Sequence, residues 1–90
     1  MAWTQYPDSP MYMDYHESVV DARRSAILYL SKRKDTAPVA IFKTSTSKKP
    51  MGMVSKIDGK FYWGYTIESY GRTMYGSKLL NKDGTIVRGY

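Results

Sequence analysis

The residues able to do chemistry are few, and their spacing argues against catalysis. The chain of 90 residues holds one histidine, no cysteine and eight Asp plus Glu. His16 stands alone, with no neighbouring ligand at a spacing that would hold a metal. Lacking cysteine, the chain has no thiol nucleophile, no Cys-based zinc site and no disulfide. Most carboxylates have a local use. Asp58 and Asp83 sit in Asp-Gly turns, Asp14 and Glu17 have the spacing of a capping box, and Asp35 follows a helix. Asp8, Asp21 and Glu68 remain, and nothing places two acids on either side of a substrate. There is no phosphate-cradling loop, dinucleotide fingerprint or nucleophile elbow. The reading is therefore not an enzyme, and it implies no metal and no cofactor.

What the chain does offer is positive charge and aromatic rings. The formal net charge is +6, from 14 Lys plus Arg. It is unevenly spread. Residues 1–17 carry Asp8, Asp14 and Glu17 and no Lys or Arg. Residues 18–49 carry Arg23, Arg24, Lys32, Arg33, Lys34, Lys43, Lys48 and Lys49 against only Asp21 and Asp35. Such a concentration attracts polyanions and speeds their encounter. Nine Tyr, two Trp and two Phe accompany it. Cations that meet phosphates, next to rings on which bases stack, are the usual design for single-stranded nucleic acid.

The elements that must position these residues can be read from the pattern. Residues 1–13, with Pro7 and Pro10, are expected to form an irregular arm bearing Trp3, Tyr6 and Tyr12. Residues 14–90 are expected to form one α+β domain. A helix is predicted over residues 15–34, capped by Asp14, with Val19, Val20, Arg23, Ala26, Ile27 and Leu30 on its apolar stripe and Lys32, Arg33 and Lys34 in its last turn. Pro38 blocks its continuation. Five strands follow, over residues 39–44, 51–57, 60–67, 72–80 and 85–90. Asp58-Gly59 signals a two-residue hairpin. Its register sets Lys60 against Ile57, Phe61 against Lys56 and Trp63 against Val54. Phe61, Trp63, Tyr65 and Ile67 then share the face on which the helix docks. Gly76 is expected opposite Trp63, leaving room for the indole. The fold class is thus one N-terminal helix on a five-stranded antiparallel meander, able to curl toward a small barrel.

The other sheet face is expected to hold Met53, Ser55, Tyr62, Thr66, Tyr75 and Ser77, with Arg88 and Tyr90 beside them. Tyr62, Tyr75 and Arg88 join the basic set as candidate binding residues for nucleic acid or a nucleoprotein. The segment Lys60-Phe61-Tyr62-Trp63-Gly64-Tyr65 loosely resembles the aromatic strand of RNA-recognition modules, without their glycine spacing. A protein partner is the alternative, because Tyr, Trp, Met and Arg dominate protein interfaces. Trp3, Tyr6 and Tyr12 would then be the docking residues. In size, lack of cysteine and single-domain layout the chain is similar to the small inhibitors that phages encode against host machinery, anti-CRISPR proteins among them. That resemblance is of general character and assigns no residue a role. The +6 charge argues against the acidic nucleic-acid mimics common among them. The N-terminal stretch is not a signal peptide, no apolar run approaches membrane-spanning length, and the missing cysteines favour the cytoplasm.

Overall fold

The computed structural model describes residues 1–9, 11–33, 37–66 and 74–87, with the side chains of 65, 66 and 74–77 outside the description. One helix packs on one face of an open, six-stranded antiparallel sheet. The strands are β1 (Ala2–Gln5), β2 (Met13–His16), β3 (Val39–Phe42), β4 (Gly52–Ile57), β5 (Lys60–Thr66) and β6 (Met74–Leu79), and the helix is α1 (Val19–Ser31). The spatial order is β2-β1-β3-β4-β5-β6, so β2 and β6 are edges and the sheet does not close. From β3 to β6 it is the expected meander. The start differs. β1 is antiparallel to both β2 and β3, which therefore run parallel on either side of it. The helix makes the crossover that this requires.

Three expectations are corrected here. The supposed irregular arm supplies β1, part of β2 and the turn between them; with these two strands gained and the expected last one lost, the count is six. The turn is held by Ser9 N–H donating to the Tyr6 carbonyl and Tyr12 N–H donating to the Ser9 carbonyl, both at 3.0 Å. The helix begins later, because Ser18 and not Asp14 is its cap. Ser18 has extended backbone, and its Oγ accepts from Asp21 N–H at 3.1 Å. Asp14 lies within β2. The helix ends at Ser31, with Lys32 as its C-cap, short of the expected last basic turn. The expected strand over residues 85–90 reduces to a bridge between Leu80 and Ile86, and residues 88–90 lie outside the described residues.

The hairpin follows the sequence reading closely. Asp58 and Gly59 both have positive φ, at 51° and 78°. The pairs Ile57 with Lys60, Lys56 with Phe61 and Val54 with Trp63 are as expected. The β5–β6 register is not. Trp63 faces Lys78, and an extra residue in β6 between the Trp63 and Tyr65 pairs makes a bulge. The glycine that makes room for the indole is Gly52 on β4, where a Cβ would fall inside the Trp63 ring.

Alternation gives the sheet two faces. The helix face carries Ala2, Thr4, Val39, Ile41, Val54, Phe61 and Trp63. Against it the helix sets Ala22, Arg23, Ala26, Ile27 and Leu30. Ala2, Val39, Ile41, Val54, Ala22, Ala26 and Leu30 are wholly buried there, and Leu80 completes the core. The segment after β6 packs on the helix through Gly84, whose added Cβ would meet the Val20 carbonyl at 2.6 Å.

Candidate nucleic-acid interface

The helix covers one sheet face, and the site lies on the other. Tyr15, Trp3 and Phe42 are successive cross-strand partners on β2, β1 and β3. Residues paired across strands keep their side chains on one face, so the three rings form a row. Trp3 meets Tyr15 edge to face, with centroids 5.1 Å apart and planes at 67°. Phe42 is 9 % exposed, whereas Tyr15 at the sheet edge is 49 % exposed. The next row holds Met13, Gln5, Ala40, Met53 and Gly64. Beyond it Ser55 faces Tyr62, and Tyr62 faces Leu79. Met53, Ser55 and Tyr62 thus occupy the expected outer face, with Ser55 buried between its neighbours. None of the described strand positions on this face is a carboxylate. Asp14 alternates to the helix side, opposite Thr4.

The aromatic row runs directly into a basic loop. Lys43 follows Phe42, and Lys48 and Lys49 lie in the same connection to β4. The loop has a defined base. Met51 N–H donates to the Ile41 carbonyl at 2.7 Å and Ser47 N–H to the Thr44 carbonyl at 3.2 Å. The Thr44 and Ser47 hydroxyls are 2.7 Å apart. Lys43, Lys48 and Lys49 are exposed, and no salt bridge among the described residues neutralises them. Three exposed cations therefore lie in the loop that follows Phe42 in the chain, and no described strand position of the outer face is an acid.

The rest of the expected basic set is not brought to this place. Arg23 is 8 % exposed, with its guanidinium 5.1 Å from the centre of the Trp63 ring. Its Nε has no acceptor, and desolvation lowers its pKa from the ordinary value. Arg23 is a core residue whose stem packs under the helix. Arg24 is exposed but engaged, pairing with Asp21 at 3.2 Å and donating from Nε to the Asp83 carbonyl at 3.3 Å. Lys32 and Arg33 lie at the opposite end of the molecule. The helix starts at the end bearing the basic loop and finishes at the other, roughly 20 Å away by its length. There Arg33 is held by Asp8 at 3.2 Å, by the Tyr29 carbonyl at 3.2 Å and over the Tyr29 ring at 3.8 Å. Lys34 and Arg88, and the side chain of Tyr75, lie outside the described residues.

The residues expected for protein docking also separate. Trp3 belongs to the outer aromatic row. Tyr6 is on the helix side, its ring 4.6 Å from that of Tyr29, and burial pushes its phenol above the usual range. Tyr12 is exposed in the β1–β2 turn beside Met11. His16 engages Thr4, with Nε2 at 3.0 Å from Oγ1. Among the described residues no group of three His, Cys, Asp or Glu stands together to hold a metal ion, and no helix is long and apolar enough to cross a membrane.

Sequence reasoning missed Tyr15 and Phe42. The signal for Tyr15 was present in the alternation of Met13, Asp14, Tyr15 and His16, which ends just before the observed cap, Ser18. No family model matches the chain, and neither the curated proteins nor the solved structures yield a match.

Proposed function

We propose that this chain is a non-catalytic, cytoplasmic binding module that engages single-stranded nucleic acid on the outer face of its sheet. The observation that carries this reading is the continuity of the Tyr15–Trp3–Phe42 row with the loop bearing Lys43, Lys48 and Lys49. Bases stack on the more exposed ring, and phosphates meet the lysines. Tyr62 lies on the same face, beyond the Ala40–Met53 row. The uncompensated loop cations and the +6 net charge supply the long-range attraction. Titration with short single-stranded and double-stranded oligonucleotides at two salt concentrations tests it. Preferential single-strand binding that weakens steeply with salt is the expected result. No binding at low salt overturns it.

One observation favours protein contact instead, of the kind made by a small phage-type inhibitor or adaptor. Met11 is 97 % and Tyr12 63 % exposed at the β1–β2 turn, and these are interface residue types. A partner recovered from the native host that survives nuclease treatment would support that second reading.

A further inference from the structure

The two sheet edges differ in how they are finished. At β6 a bulge distorts the ladder, Lys78 projects, and Val87 N–H donates to the Leu79 carbonyl at 2.9 Å. Each of these discourages another strand from adding. β2 has no bulge, lysine or covering segment among the described residues; its only protections are its four-residue length and Asp14 on the helix side. It is an edge in unbroken register with β1, and Met11, Tyr12 and Tyr15 are exposed on or just before it. It also lies in the longest stretch of the chain without Lys or Arg, residues 1–22. Two copies of a chain carrying +6 repel through their Lys and Arg, and this hairpin brings neither to a contact.

We propose that β2 is the seat of a second copy of this chain, joined edge to edge as an antiparallel, two-fold symmetric pair. The strand is self-complementary in one register. Backbone groups alternate in direction along a strand, so residues hydrogen-bonded across a symmetric pair must both point outward. The allowed registers near the strand centre set either Asp14 against its own copy or Tyr15 against its own copy. The first juxtaposes two carboxylates and is disfavoured. The second sets Asp14 against the partner's His16, twice. The His16 Nε2 is engaged by Thr4, and in the tautomer where Nε2 accepts from the Thr4 hydroxyl, Nδ1–H donates to that carboxylate. On the outer face Tyr15 then lies beside the partner's Tyr15, and the three-ring row continues as six rings across both copies. The pairing needs no nucleic acid, so it stands or falls separately from the proposed ligand.

Sedimentation velocity over a concentration series, without nucleic acid, is the first measurement. A mass rising toward twice the 10.4 kDa of one chain is expected. A single 10.4 kDa species throughout overturns the proposal. The register is tested by D14H and H16D, each of which sets like residues opposite one another and should give monomer. The double variant D14H/H16D restores the pair and should restore the dimer. Failure of that rescue overturns the register. Should either change disturb the hairpin, Tyr15→Cys gives an independent reading. The chain has no other cysteine, and position 15 is exposed. Oxidation should link two copies of that variant through the symmetry axis. An absence of cross-linked product, with circular dichroism unchanged from the parent, argues against the pairing.

Discussion

The two faces of this sheet are built from the same strands and differ in what they ask of each residue. On the helix face the positions are small or β-branched near the helix axis and aromatic toward β5: Ala2, Thr4, Val39, Ile41 and Val54, then Phe61 and Trp63. Each is buried under α1, so size and shape decide whether it fits. On the outer face the large residues lie elsewhere, in the Tyr15–Trp3–Phe42 row and at Met13, Met53 and Tyr62. No helix covers them, and Tyr15 keeps half its surface in water. Phe61 and Trp63 on the first face are structural parts, and on the second face Phe42 is as buried as Trp63, which leaves Tyr15 as the ring of its row most open to a ligand. Tryptophan shows both cases, with Trp63 beneath Arg23 and Trp3 beside Tyr15.

The largest effect expected from this contrast is at Trp63. Trp63→Ala removes a nine-tenths buried indole and should lower stability by about 3–5 kcal/mol, a large share of what a small domain has. Tyr15→Ala on the other face gives up one edge-to-face contact with Trp3 and should cost about 1 kcal/mol. Urea unfolding of both variants compares the faces directly. Equal losses would show that the outer row is also part of the core.

Gly52 sharpens the same point at a smaller scale. Its added methyl would enter the Trp63 ring, and that ring is confined by the helix and by Arg23. Gly52→Ala should destabilise by about 1–3 kcal/mol through overpacking. The double variant Gly52→Ala with Trp63→Ala should lose less than the sum, because the clash disappears with the ring. Strict additivity in the thermal melts would dissociate the glycine from the indole.

How far the sequence could be read follows from the range of the forces involved. The Asp58-Gly59 hairpin was legible because its turn chemistry is local, and its register carried Phe61 and Trp63 to the correct face. The placing of Gly76 failed twice over: the Thr66–Met74 and Tyr65–Tyr75 pairs already run one residue off the expected register, and the β6 bulge adds one more, which has no signature in one strand alone. β1 was missed because four residues between a terminus and Pro7 form a strand only when two neighbours flank them. The site suffered from the same error. Reading Asp14 and Glu17 as a cap placed Tyr15 in the helix and hid the aromatic row. Arg23 was correctly placed on the apolar stripe, yet its charge also enrolled it among surface cations, and burial decides for the core.

That competition between caps yields a prediction of about 1 kcal/mol. Ser18→Ala deletes the oxygen that accepts from Asp21 N–H and should cost about that much. Asp14→Ala should change the stability of the single chain by about 0.5 kcal/mol or less, since its carboxylate caps nothing. Chemical denaturation at low protein concentration, where no second copy contributes, separates them. The reverse order would restore the earlier helix start.

The smallest effect on stability, and the most informative about function, is expected at the basic loop. Lys48 and Lys49 are exposed, make no salt bridge among the described residues, and sit on a loop fixed by Thr44, Ser47 and Met51. Replacing both with Ala should leave the melting temperature almost unchanged. Binding should behave differently, because each lysine on a phosphate releases condensed counterions. For a single strand that contributes about 0.7 to the slope of log affinity against log salt. The double variant should therefore bind more weakly at low salt and lose less affinity as salt rises, by about 1.4 in slope if both lysines meet phosphates. Tyr15→Ala should show the complementary behaviour. It removes stacking of about 1–3 kcal/mol per base and leaves the slope nearly intact. Fluorescence anisotropy with a labelled single strand across a salt series measures both. If Tyr15→Ala flattens the slope as the lysine variant does, the rings and the loop do not divide base and phosphate between them. If neither variant alters binding, the strand lies elsewhere on the molecule.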